Sequence, residues 1–341
     1  MSQSMKSWRM SAVGRDHLEL VEVPVPTPEP GEVLVRVHAV SLNYRDKLVI
    51  ETGMGLPLDF PFTPGSDLAG EVVDLGQNVD RFEIGDPVIS TFAPGWIEGR
   101  PAGDARNPPY KTLGGAHAGV LSEYVAFPQD WFVRSPESLD PVLASTLPCA
   151  GLTAWFALIE RGGLRAGQTV VLQGTGGVSA FALQIAASRG ARVIITSAED
   201  EKLARAKALG ADHGVNRHDE DWVAATHKLT ADAGADHILE MVGGSHLNRS
   251  LEAVAVQGRI SLIGVFEGFE FSGSSGLLIT KSPVIQGINV GHRRALEDLV
   301  AEVDRVGLQP IVDAVYAMAD LSLALDHLER GPFGKIVVSL I

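Results

Sequence analysis

The chain has 341 residues, enough for two domains with separate hydrophobic cores. Apolar residues make up 45% and charged residues 21%, an ordinary globular balance, and a formal net charge of −14 makes nucleic acid and anionic membranes poor partners. A single cysteine, Cys149, excludes an internal disulfide and a multi-cysteine zinc lobe; together with a polar opening segment, Met1–Met10, and apolar runs too short for a bilayer, it sets the expectation of a cytoplasmic protein.

In chain order, the first 125 residues read as an irregular β-rich domain. Leu18–Val23 and Val33–Val40 alternate apolar and polar residues around the Pro-rich Pro24–Gly31. Leu68–Leu75 and Pro87–Thr91 read as further strands, separated by turn signals at Gly76–Asn78 and Gly85–Asp86. Ala93–Gly119 is rich in Gly and Pro, and reads either as a surface loop or as a lid or binding element. From about Pro141 the pattern changes to alternating helix and strand, beginning with a helical tract, Pro141–Glu160, broken at Pro148.

The most informative stretch is Thr169–Ser197. Thr169–Gln173 is a β-branched run suited to a buried parallel strand, and Gly174, Gly176 and Gly177 allow a sharp turn with close ligand approach. Phe181–Ser188 has helical spacing and stops at Gly190; Ala191–Ser197 is the next strand. This layout sets a pyrophosphate against the N–H groups of a helix N-terminus, so a dinucleotide site is expected. Ser197–Leu209 reads as a helix with a capping-box-like Ser197 and Asp200, stopped by Gly210. His237–Val242, Arg259–Val265, Val284–Asn289 and Lys335–Ile341 read as strands, and His292–Val306 and Leu321–Glu329 as amphipathic helices.

The tracts PGEVLVRVHAVSLNYRD (30–46), PFTPGSDLAGEVVDLG (61–76), FEIGDPV (82–88), SEYVAFP (122–128), LPCAGLTAWFAL (147–158), GTGGVSAFALQIA (174–186), EKLARAKALGAD (201–212), QGRISLIGV (257–265) and GKIVV (334–338) come in an order that resembles the medium-chain dehydrogenase/reductase superfamily over nearly the whole chain. The resemblance is nearest to its zinc-independent, quinone oxidoreductase-like branch. It implies an α/β protein with a GroES-like catalytic domain (residues 1–128 and 291–341), a doubly wound Rossmann cofactor domain (residues 129–290), and a cleft between them.

Zinc members of the superfamily carry a Cys ligand where this chain has Asn43, and a Gly-His-Glu tract where it has Gly65-Ser66-Asp67. Cys149 matches a second catalytic Cys of some members. Asn and Ser bind zinc poorly, so no metal is expected, and Cys149 reads as a small packed hydrophobe. The proton-relay Ser or Thr falls at Arg45, and Leu48 stands where enoyl reductases use a Tyr acid. By the resemblance, Asn43, Tyr44 and Thr153 face the nicotinamide: Asn43 as a donor to a substrate oxygen, and Tyr44 as a proton donor or a packed aromatic. Asp67 reads as organising Arg45 or Asp46, or as structural.

The expected cofactor contacts are Gly174, Thr175, Gly176, Gly177 and Val178 in the turn, Ser197, Lys202 and Arg217 near the ribose, and Gly264 and Lys335 in the matched tracts. NAD enzymes hold the ribose 2′-OH with an acidic residue, which the superfamily alignment places at Ser197; Lys202 and Arg217 lie near enough in sequence to pair with a 2′-phosphate, so NADP(H) is expected. Ser179 replaces the third fingerprint glycine with another small residue. The leading function is a zinc-independent NADP(H) oxidoreductase of quinones, enones or carbonyl/alcohol pairs, as a homodimer joined at the sheet edge formed by Ile260–Val265 and Val284–Val290. The alternatives are a zinc alcohol dehydrogenase with unusual ligands and a non-catalytic NADPH-binding structural or sensor protein.

Overall fold

The computed structural model of the protein describes residues 3–108 and 110–341. They form two compact units, one built from Met1–Leu152 and Val290–Ile341, the other from Thr153–Asn289. The sequence reading starts the second unit at residue 129. The structure starts it later because Phe132–Arg134 is a strand paired with Pro87–Ser90, and so belongs to the first unit's sheet.

The first unit is organised on Glu32–Leu42, an eleven-residue strand with antiparallel neighbours Asp67–Leu75, Tyr124–Pro128 and Lys335–Ser339. Val312–Ala317 pairs in parallel with Lys335–Ser339 at one edge, and Pro87–Ser90 continues the sheet on the other side. A two-stranded ribbon, Ser4–Met10 with Leu18–Pro24, completes the β structure. Val33, Val35, Val37, Leu68, Val88, Phe132 and Ile336 join one core. Burying each such side chain contributes roughly 1.5–3 kcal/mol.

The second unit holds a six-stranded, all-parallel sheet. Its spatial order is His213–Asn216, Arg192–Ser197, Thr169–Gln173, Ala235–Glu240, Val254–Leu262, Val284–Gly287. Numbered by sequence this is 3-2-1-4-5-6, the doubly wound nucleotide-binding order, and its direction reverses between Thr169–Gln173 and Ala235–Glu240. Every residue of Thr169–Gln173 is buried, which explains the continuous β-branched run. Val171, Ile194, Ile238 and Ile260 anchor this unit's own core.

Helix Asp200–Ala208 begins three residues later than the sequence reading placed it. Ser197 is the last residue of its strand, not a helix cap, and Glu199 takes the cap position. The tract Pro141–Glu160 is not one broken helix but two short α segments alternating with two π turns, with Pro148 near the start of the first π turn. Among the described residues no helix is long and apolar enough to cross a membrane.

Candidate functional site

In the second unit, the chain leaves Gln173, turns at Gly174 with φ +76°, and enters helix Gly177–Ser188. That left-handed conformation favours glycine at position 174. A methyl group added at Gly174 or Gly176 would meet no protein atom within 4 Å, so open space adjoins the turn. Gly176 is the helix N-cap and Thr175 is buried. Ser179 donates to the Gln173 carbonyl over 3.0 Å, so the third fingerprint position ties helix to strand by a hydrogen bond. The turn therefore offers unpaired helix N–H groups beside unfilled space, which fits a pyrophosphate.

Ser197 and Arg217 are brought together at the ends of adjacent strands: the Arg217 N–H donates to the Ser197 carbonyl over 2.9 Å. The Arg217 side chain is exposed. The Ser197 hydroxyl accepts from the Glu199 N–H. Lys202 does not simply face an open ribose pocket, because its ammonium donates to Glu199 Oε1 over 2.6 Å. Gly264 is a glycine for an internal reason: a Cβ there would lie 1.6 Å from the Met241 carbonyl oxygen.

In the first unit, three neighbouring strands bring polar residues to one end of the sheet. Glu32–Leu42 ends at Asn43, which caps helix Tyr44–Thr52; its N–H donates to Asp46 Oδ2 over 2.8 Å. Asp67 opens the strand beside it, opposite Ser41, and Lys335 opens the strand on its other side, where Ile336 faces Leu42. Lys335, expected among the cofactor contacts, is buried within this cluster. Its ammonium donates to the Leu42 carbonyl and to Asn43 Oδ1, both over 2.6 Å. Asn43 Nδ2 faces Ser66 Oγ at 3.3 Å, and Ser66 donates to Asp67 Oδ1 over 2.6 Å. The Cys149 N–H completes the set by donating to Asp67 Oδ2 over 3.0 Å.

Burial pushes the Asp67 carboxyl up to about 6, even though Lys335 pulls it down. Burial, and then Asp67, push the Cys149 thiol well above its ordinary range, so it is no thiolate at neutral pH. Asp67 does not organise Arg45: that guanidinium donates to the Leu113 and Gly114 carbonyls, each over 2.6 Å, and pins the end of the 93–119 segment to the helix. Tyr110 of that segment, which the sequence reading passed over, has its phenol raised by burial and interacts electrostatically with Arg45 and Cys149. Tyr44 is exposed, and Thr153 is buried at the start of the second unit. Among the described residues no group of three or more His, Cys, Asp or Glu is placed to hold a metal ion.

Two family models match. Residues 29–137 match the alcohol dehydrogenase GroES-like domain, and residues 177–305 match the zinc-binding dehydrogenase domain. The chain is similar to a protein of Sinorhizobium meliloti 1021 provisionally named an alcohol dehydrogenase, whose crystal structure shares 61% identity and a TM-score of 0.97 over the whole of both chains. It is 37% identical to a zinc-type alcohol dehydrogenase-like protein of Schizosaccharomyces pombe over 96% of each chain. It is 26% identical to a quinone oxidoreductase of Sus scrofa over 94% of this chain and 92% of that one.

The elevated Asp67 predicts a stability signature. Its value in the folded state, about 6, lies above the ordinary 3.8, so folding favours the protonated form. Native stability from this group is greatest below the unfolded value and is lost as pH rises through about 6. Asp67→Asn removes that titration. Relative to wild type, the variant should therefore gain about 1 kcal/mol between pH 5 and 7.5. Urea unfolding of both proteins at the two pH values measures this; a constant difference would contradict the buried-acid assignment.

Proposed function

The chain belongs to the medium-chain dehydrogenase/reductase superfamily of nicotinamide-dependent oxidoreductases, and from that premise we propose that it is a zinc-independent, NADP(H)-dependent reductase of quinones, enones or carbonyls. The observation that carries this reading is the Lys335–Asn43–Ser66–Asp67 cluster. Zinc does not fit these donors. Asn43 and Ser66 are poor ligands, their polar atoms are already hydrogen-bonded, and an ammonium stands among them where a second cation would be repelled.

When bound, the reduced nicotinamide supplies the hydride. Reduction of a carbonyl also requires a proton and stabilisation of the charge that grows on oxygen. The Asn43 amide provides a hydrogen-bond donor for that oxygen, and the Tyr44 phenol, exposed at the first turn of its helix, provides a proton. A quinone acceptor takes its protons from water. Protein dialysed against a chelator should keep its NADPH oxidation with at least one of a panel of quinones, enones and aldehydes. Loss of that activity with removal of about one zinc per chain would overturn the reading, and tight NADPH binding without turnover on any acceptor would mark a binding protein.

Preference for NADPH rests on the hydroxyl of Ser197 in place of a carboxylate, and on Arg217 at its side. Arg217→Ala should weaken NADPH roughly tenfold or more and leave NADH nearly unchanged, since one charge-assisted contact is worth about 1.5–3 kcal/mol. Glu199→Gln should strengthen NADPH by removing a carboxylate that competes with the phosphate for Lys202. Fluorescence titration with both cofactors decides this; equal weakening of both by Arg217→Ala counts against a phosphate contact.

Homodimerisation is proposed through the open edge of the second unit's sheet. Val284–Gly287 is the last strand, and apolar side chains nearby in the chain are exposed, among them Phe269 at 76% and Ile279 at 73%. Sedimentation at micromolar concentration should give a dimer, and a monomer alone would exclude this edge as a stable interface.

A further inference from the structure

We infer that Lys335 is a positioning residue that fixes the Asn43 amide with its N–H face toward the acceptor oxygen of the substrate. This rests on the proposed role of Asn43 as that oxygen's donor. An amide's oxygen and nitrogen have nearly the same shape, so an unconstrained Asn presents either one. An ammonium has donors and no acceptor, so the atom facing Lys335 at 2.6 Å must be Oδ1. Nδ2 then faces the other way, toward Ser66 Oγ at 3.3 Å.

The rest of the cluster runs in the same direction. Lys335 donates to Asn43, Asn43 to Ser66, and Ser66 to Asp67, so the chain of donors begins at a cation and ends at a carboxylate. Reversing the amide would set Nδ2 against the ammonium and Oδ1 against Ser66, breaking two bonds in buried surroundings. Lys335 is itself held by the Leu42 carbonyl at 2.6 Å, so its ammonium cannot swing away. One Nδ2 hydrogen is used on Ser66; the proposal gives the other to the substrate oxygen, in competition with the Asp46 and Asp67 carboxyls that the Asn43 side chain also engages. An N–H aimed at the substrate suits a carbonyl or quinone oxygen, which accepts and cannot donate.

The test compares Lys335→Met and Lys335→Arg with wild type. Lys335→Met should lower kcat for carbonyl or quinone reduction roughly ten- to a hundredfold, the usual range for losing the partner that orients an active group. NADPH affinity should stay within about twofold, and Lys335→Arg, which keeps a donor, should recover most of the turnover. In the cofactor-free protein, the Asn43 side-chain amide pair (identified in 15N NMR spectra by its loss in Asn43→Ala) should be sharp and shifted in wild type and collapse to solvent-like positions in Lys335→Met. A parallel fall in NADPH affinity would make Lys335 a cofactor contact and overturn the proposal, as would an unchanged amide resonance. If wild type reduces none of the acceptors, the functional reading fails, while the amide resonance still decides whether Lys335 sets the orientation.

Discussion

The buried carboxylate of Glu240 governs the second unit. It ends the strand Ala235–Glu240, beside Gln173 at the end of Thr169–Gln173, at the place where the strand order reverses. It accepts from Gln173 Nε2, from the Val242 and Gly243 N–H groups at 2.9 and 3.0 Å, from Ser250 Oγ and from His246 Nδ1. Burial alone would raise this acid. The bonds from His246, Ser250 and Gln173 outweigh burial and bring it down to about 2. One side chain thus ties both central strands, the 241–244 turn and helix His246–Ala253 into a single frame. The glycine turn after Gln173 starts from that frame. A binding loop needs such an anchor because its own backbone makes few bonds.

The first unit solves a different problem, the burial of charge. Asp46, Asp67 and Lys335 are all buried near one another. An isolated ion would be expensive there, and removing one partner would strand the others. The arrangement survives because nearly every polar atom has a directional partner supplied by a strand end or helix cap. The same directionality that makes burial tolerable gives the Asn43 amide a defined donor face. On the proposed role of Asn43, stability and chemistry are carried by the same bonds, which makes substitutions at Lys335 or Asp67 informative about both.

How far the sequence could be read depended on whether a residue's role was local. Thr169–Gln173 and the glycine turn were legible because a buried parallel strand requires an apolar run, and a turn at positive φ requires glycine. Leu321–Glu329 was legible from its period alone. Ser4–Met10 was missed because SMKSWRM looks polar, although Trp8 and Met10 are buried once the ribbon folds back. Val312–Ala317 is an edge strand that is half-buried along most of its length, and its pattern carries no clear alternation. The Tyr44–Thr52 helix had a signal, Asn43 with Asp46 three residues on, hidden behind the comparison of that tract with the zinc members' ligands. Nothing in GKIVV tells that an ammonium 292 residues beyond Asn43 reaches its side chain. The nearness of Gly264 to Met241, which leaves no room for a Cβ, is a tertiary fact that the sequence does not show.

Cofactor choice turns on a competition that the sequence shows only in part. Ser197 leaves the second strand's end without a carboxylate, yet Glu199 and Asp200 follow within three residues, and Glu199 engages Lys202. The carboxylate of Glu199 is 58% exposed, so its bond to Lys202 is a surface pair worth about 0–1 kcal/mol. A 2′-phosphate that drew Lys202 away would gain a charge-assisted bond of about 1.5–3 kcal/mol, with Arg217 as a second donor. Displacing Glu199 is therefore the smaller of the two quantities. On the proposed 2′-phosphate reading, Glu199 lowers the preference without reversing it, and Arg217, joined to Ser197 through its backbone N–H, is the residue on which that reading depends.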